Sequence, residues 1–137
     1  MRSSLKRVLT AAALLVSTQA TLAAEPVKFG LCYDLTKIYV AAVPQVAQAV
    51  KDYADLLNTR GGLEGHPIEV AVQDHGNEPQ RGIDCYERLK REGTMIFDTF
   101  SSPVSRAVLP RIMQDGNILV HDGRITAWRD YFDMKQF

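Results

Sequence analysis

The sequence lacks most of the short patterns that announce a particular chemistry. It contains no Gly-x-Gly-x-x-Gly, no Gly-x-x-x-x-Gly-Lys-[Ser/Thr], no His-Glu-x-x-His and no Cys-x-x-Cys. Dinucleotide, P-loop nucleotide, zinc-hydrolase and thioredoxin-type readings therefore have no support. Charge of one sign is also missing, since Lys plus Arg and Asp plus Glu stand at 16 each. Nucleic-acid binders carry a basic excess, so a nucleic-acid partner is not expected. Histidines number three and are scattered, whereas a catalytic zinc site needs about three protein ligands. The reading implies no metal and no cofactor. No apolar run approaches the roughly 20 residues that span a bilayer.

What is present begins with an export signal. Arg2, Lys6 and Arg7 precede a short apolar core, Val8 to Val16, and Thr21-Leu22-Ala23-Ala24 offers small residues for cleavage after Ala23 or Ala24. Residues 1–24 read as a secretory signal peptide, which sends the remainder to the periplasm with a mild acidic excess. At 137 residues with 46% hydrophobic content, the chain has the size and composition of about one domain. An oxidising compartment permits a bond between Cys32 and Cys85. The sequence establishes no contact between them, and two small buried apolar side chains is the favoured reading.

From residue 25 the chain alternates. Val27–Tyr33 reads as a buried strand, followed by a polar break over Asp34–Ile38. A helix follows, with Val43, Val46, Ala47, Val50, Tyr53, Ala54 and Leu57 on one stripe and Pro44 in its first turn. It stops at Asn58-Thr59-Arg60-Gly61-Gly62. Ile68–Gln73 is the second strand. Glu78-Pro79 opens a second helix with Ile83, Tyr86 and Leu89 inward, ending at Gly93. Met95–Phe100 is a third strand, about Pro103 to Asp115 a third helix, and Ile118–Val120 a short fourth strand. This βαβαβαβ order predicts a parallel sheet in an α/β fold.

Met95 to Arg106, MIFDTFSSPVSR, is the stretch where function is expected. Ligands of open α/β sheets bind beyond the carboxyl ends of strands. Ser101 or Ser102 can cap the third helix, with Pro103 in its first turn. The unpaired N–H groups and positive dipole end then favour an anionic ligand group. A purely structural reading, in which both serines cap and Asp34 closes a turn, stands beside this one. Asp74-His75-Gly76-Asn77 reads as a polar loop at a strand end, and Glu78 and Asp84 as solvated helix residues.

Past Val120 the pattern changes. Asp122-Gly123 is a turn signal, and Ile125–Phe132 looks like a strand of an antiparallel sheet. A seam is expected near Val120–Asp122, dividing residues 25–120 from 121–137.

Several segments carry a family resemblance. FGLCYDLTKIY, PQVAQAVKDYADLLNTRGGLEGHPIEV, QDHGNEPQRGIDCYERL and DTFSSPVSRAVLPRI together resemble the start of a type I periplasmic solute-binding protein of an ABC transporter, in the branched-chain amino acid, amide and urea branch. NxRGGLxGHPIE is the most specific part. The resemblance implies a partial three-layer parallel lobe, here with an extra C-terminal strand. It also implies an amino-acid- or amide-like solute, a membrane permease as partner, no cofactor and no catalysis. Ser101 and Ser102, with Tyr33, Asp34 and Tyr39, are the residues it places at the solute. In that family the solute lies between two lobes. Only the first part of one lobe is recognised here, so weak or no binding is expected.

The last stretch, DGRITAWRDYFDMKQF, is similar to the C-terminal strand of limonene-1,2-epoxide hydrolases and related SnoaL-like proteins. That resemblance would make Asp130 a water-activating carboxylate. The family's Arg-x-Asp and Tyr-x-Asn pairs do not occur. A hydrolase of this kind, or a non-functional fusion remnant, are the alternatives.

Overall fold

The computed structural model of the protein describes residues 24–120. The expected signal peptide, apart from Ala24, lies outside these residues. So do the C-terminal segment and Asp130. In chain order the elements are β1 (Val27–Tyr33), α1 (Val43–Thr59), β2 (Ile68–Asp74), α2 (Pro79–Arg91), β3 (Ile96–Asp98), α3 (Ser102–Asp115) and β4 (Ile118–Val120). The four strands form one parallel sheet in the order β2-β1-β3-β4. The expected α/β class and parallel layering are present, with boundaries shifted by one residue at β2 and α3 and by one or two at β3.

Period-2 alternation along β1 assigns its neighbours. Cys32 packs with Tyr86 and Leu89 of α2, Phe97 of β3, and Val104, Val108 and Ile112 of α3. Leu31 and Tyr33 point the other way, against Val43 and Ala47 of α1. The sheet is therefore sandwiched between α1 on one face and α2 with α3 on the other. Residues such as Phe97 and Leu89, both 1% exposed, each contribute about 1.5–3 kcal/mol through burial.

The connection from α1 to β2 shows why its sequence is so specific. Asn58, in the last turn of α1, donates from Nδ2 to the Ile68 carbonyl at 2.9 Å and accepts the Ile68 N–H at 2.8 Å. One amide thus clamps the helix end to the strand start. Gly61 (φ 99°) and Gly62 (φ 75°) turn the chain between them, in a region where a side chain is strained. α2 and α3 approach so closely that a Cβ on Gly82 would sit 2.2 Å from Val104 Cγ1.

Four details depart from the sequence reading. Cys32 and Cys85 are disulfide-bonded, with Cα atoms 6.1 Å apart, not two free apolar side chains. Tyr53, placed on the inner stripe of α1, is 61% exposed, because β3 and β4 have no helix over them on that face among the described residues. Met95 is 66% exposed and outside β3, whose paired segment is three residues long. His75, read as part of a polar loop, is fully buried.

Candidate functional site

Three strands end on aspartate or run directly into it: Asp74 closes β2, Asp98 closes β3, and Asp34 follows β1. Each carboxylate is engaged by its own surroundings. Asp34 is fully buried. Its Oδ1 accepts the backbone N–H of Lys37 (2.8 Å) and Thr36 (3.3 Å), and its Oδ2 accepts those of Ile38 (2.7 Å) and Tyr39 (3.1 Å). Burial pushes its pKa up, but the four backbone donors outweigh burial and hold it below 3.8. Asp74 accepts from Leu35 N–H, Gly76 N–H, the Thr36 hydroxyl and the Arg81 guanidinium. Its pKa is likewise lowered by these donors against burial. Asp98 accepts the Tyr33 hydroxyl at 2.7 Å and the Phe100 N–H at 3.2 Å.

Between β2 and α2 the chain turns through His75. The Asn77 N–H donates to His75 Nδ1 at 2.9 Å, so the ring hydrogen resides on Nε2 and is donated to the Thr99 carbonyl, also at 2.9 Å. Burial pulls its pKa below 6.5, although the Thr99 carbonyl, Asp34 and Asp74 push the other way. Asn77 in turn receives the Ser101 hydroxyl at 2.6 Å. This chain of bonds locks the β2–α2 turn to the β3–α3 turn.

Ser101 is the N-cap of α3 and is fully buried. Its Oγ accepts the Val104 N–H at 3.4 Å, and its carbonyl accepts the Ser105 N–H at 2.7 Å. Pro103 has no N–H. The amides of Ser101 and Ser102 are therefore the ones that the helix itself does not use. Ser102 is half-buried as the first residue of α3.

Beside these amides lies an aromatic group. The Phe100 ring meets Tyr33 at a centroid distance of 5.8 Å and Tyr39 at 6.1 Å, both edge to face. Phe100 has φ 38°, a conformation that bulky residues rarely adopt and that tends to occur at functional sites. The structure thus brings Tyr33, Tyr39, Ser101 and Ser102 together at one end of the sheet. Asp34 lies beneath them as the anchor of the β1–α1 loop. Sequence reading missed Phe100, Asp98 and His75. The signal available for Phe100 was an aromatic residue in a Ser-rich strand-to-helix turn.

Among the described residues no group of three or more His, Cys, Asp or Glu is placed to hold a metal, and no helix is long and apolar enough to cross a membrane. A shallow depression lined by Lys51, Ala54, Asp55, Ile68 and Val70 lies toward the opposite end of β2.

An open parallel sheet, helices on both faces and a polar rim at the strand carboxyl ends define the class: a lobe of an α/β solute-binding protein. The chain belongs to the periplasmic binding protein family, whose profile matches residues 26–134. That match runs on through most of the segment past Val120.

Among solved structures, the chain is similar to a fatty acid ABC transporter substrate-binding protein from Thermomonospora curvata. The two are 31% identical with a TM-score of 0.67, and the match covers 72% of this chain and 25% of that one. It is also similar to a putative branched-chain amino acid ABC transporter protein from Silicibacter pomeroyi (24% identity, TM-score 0.63, 71% and 25% covered). A third is a branched-chain amino acid transporter substrate-binding protein from Streptococcus pneumoniae solved with isoleucine (21% identity, TM-score 0.62, 72% and 30% covered). Among curated proteins nothing matches. The chain spans about a quarter of the length of the solved relatives. A family of binding proteins places it in the periplasm or outside the cell.

Proposed function

We propose that this chain is the first-lobe part of an exported solute-binding subunit of an ABC transporter, directed by residues 1–24, and that it serves binding and not catalysis. Its solute presents a carboxylate or amide, as an amino acid or its amide would, to the Ser101 and Ser102 amides. The observation that carries this reading is the start of α3. Two amides unused by the helix sit there at the positive end of its dipole, fixed by the Ser101 cap and the Asn77 contact. The family relation supports solute capture and a membrane permease as partner. The 31% identical relative, a fatty acid binder by name, supports an acid as the group held.

Tyr33 is 1% exposed and supports Phe100, while Asp34 holds the loop that carries Tyr39. In this reading both position the site without touching solute. Such an edge supplies contacts from one side only and excludes water poorly, so affinity is weak, on the order of millimolar.

Titration of the labelled full chain with acetate and acetamide, followed by amide NMR, tests the proposal. Saturable shifts at Ser101 and Ser102 are expected. Binding of any amino acid or amide at micromolar concentration would overturn the weak-affinity claim, and an undisturbed α3 start would overturn the site. The hydrolase reading predicts turnover of limonene oxide, lost in Asp130→Asn, and no turnover is expected.

A further inference from the structure

We infer that Asn58 guards a sheet edge: its side-chain amide occupies the outer rim of β2 in place of a strand and keeps a second copy of this chain from pairing there. This role is independent of any solute. β2 is the outermost strand on its side of the sheet. The Val27 N–H donates to the Pro67 carbonyl, and the His75 N–H to the Tyr33 carbonyl. Pro67, Glu69, Ala71, Gln73 and His75 therefore turn their backbone groups toward β1, and alternation points those of Ile68, Val70, Val72 and Asp74 outward. Such an outward row is a template for another strand. The seven residues of β2 include no proline and no lysine, and its register with β1 runs without a bulge. Beside Val70 the surface is only the shallow depression lined by Lys51, Ala54, Asp55, Ile68 and Val70.

The ends of that row are taken. At Ile68 the Asn58 amide makes both bonds that a neighbouring strand would make, donating to the carbonyl at 2.9 Å and accepting the N–H at 2.8 Å. At Asp74, Arg81 Nη2 donates to the carbonyl at 2.9 Å. Among the described residues the outward groups of Val70 and Val72 have no partner. A two-fold antiparallel pairing of β2 with a second copy, centred on Ala71, sets Val70 against Val72 and Ile68 against Asp74. It sets Glu69 against Gln73, so no like charges oppose it. Each outer pair, however, meets Asn58 on one copy and Arg81 on the other. What remains is shorter than the roughly three residues of the shortest ordinary strands. Arg81 is long and half-exposed and can swing away. Asn58 is short and fixed in the last turn of α1, so it is the decisive guard.

Sedimentation of the full chain and of Asn58→Ala at equal concentration tests this. The expected result is a doubling of mass in Asn58→Ala relative to the natural chain. Val70→Pro removes one outward N–H and leaves the bonds to β1 intact, so Asn58→Ala/Val70→Pro should return to the natural mass. An unchanged mass in folded Asn58→Ala overturns the inference, and so does a doubling that survives Val70→Pro, because it then comes from another surface. Where circular dichroism shows Asn58→Ala to be unfolded, Asn58→Asp takes its place with the same outcomes. It keeps the acceptor for the Ile68 N–H and gives up the donor. Amide hydrogen exchange on the natural chain supplies a check without substitution: slow at Ile68, fast at Val70 and Val72. Fast exchange at Ile68 removes the guard, and slow exchange at Val70 and Val72 shows the edge already covered. Either overturns the inference.

Discussion

His75 Nε2 lies 2.9 Å from the carbonyl oxygen of Thr99, joining the turn after β2 to the turn after β3. Because Nδ1 already accepts the Asn77 N–H, this arrangement requires a neutral ring. The unfolded chain titrates near the ordinary 6.5, and the folded chain lower because the ring is buried. Between those two values the unfolded state binds more protons. The neutral ring's contribution is therefore complete above about pH 6.5 and is lost as pH falls through the lower folded value. The melting temperature should be flat above about pH 7 and decline toward about pH 5. In His75→Gln that decline should flatten. A slope that persists unchanged would assign it to other groups.

Asp34 makes a separable prediction. Four loop amides converge on its carboxylate, and Asp34→Asn leaves some of them facing an NH₂ group. The loss is expected to be about 2–3 kcal/mol, read from urea unfolding. Its folded pKa is held below 3.8, so this stabilisation is present above about pH 4 and fades as pH falls through the folded value. An unchanged urea midpoint would return Asp34 to the pool of residues free to meet solute.

The contact between α2 and α3 gives a third. Gly82→Ala should help an isolated helix by about 1 kcal/mol. In this fold the new methyl meets Val104, with Cγ1 at 2.2 Å and two further atoms at 3.2 Å, and Val104 is fully buried. Overpacking should reverse the sign, giving a net loss of about 1–3 kcal/mol. Val104→Ala in the same chain should recover part of it, a coupling that a double-mutant cycle in urea measures. Additive losses would contradict the close approach.

Periodicity and turn residues made the layering legible. β1 and β4 lie where their apolar runs predict, and Pro44, Pro79 and Pro103 fall in the first turns of α1, α2 and α3. The Ser101 cap was legible for the same reason, since capping is local chemistry. What escaped depends on which elements become neighbours. The burial of His75 is decided by Thr99, 24 residues away. The exposure of Tyr53 is decided by how much of the sheet α1 covers. Phe100 escaped because a positive φ is imposed by Asp98 and the rings around it, not by its own propensity.

The bond between Cys32 and Cys85 belongs to that class and carries the last prediction. The two cysteines, one in β1 and one in α2, are 53 positions apart, and nothing local to either segment brings them together. Both sulfurs are buried in the core shared by the sheet, α2 and α3. Closing a loop of that length constrains the unfolded chain, so reduction should cost about 2–4 kcal/mol. Dithiothreitol should lower the urea midpoint of the natural chain. It should leave a Cys32→Ala/Cys85→Ala variant unmoved, already near the reduced value. Equal midpoints with and without reductant, with two free thiols found by mass after alkylation in urea, would refute the pairing. Such bonds persist in oxidising compartments and not in the cytosol, which agrees with the periplasmic or extracellular place of the family.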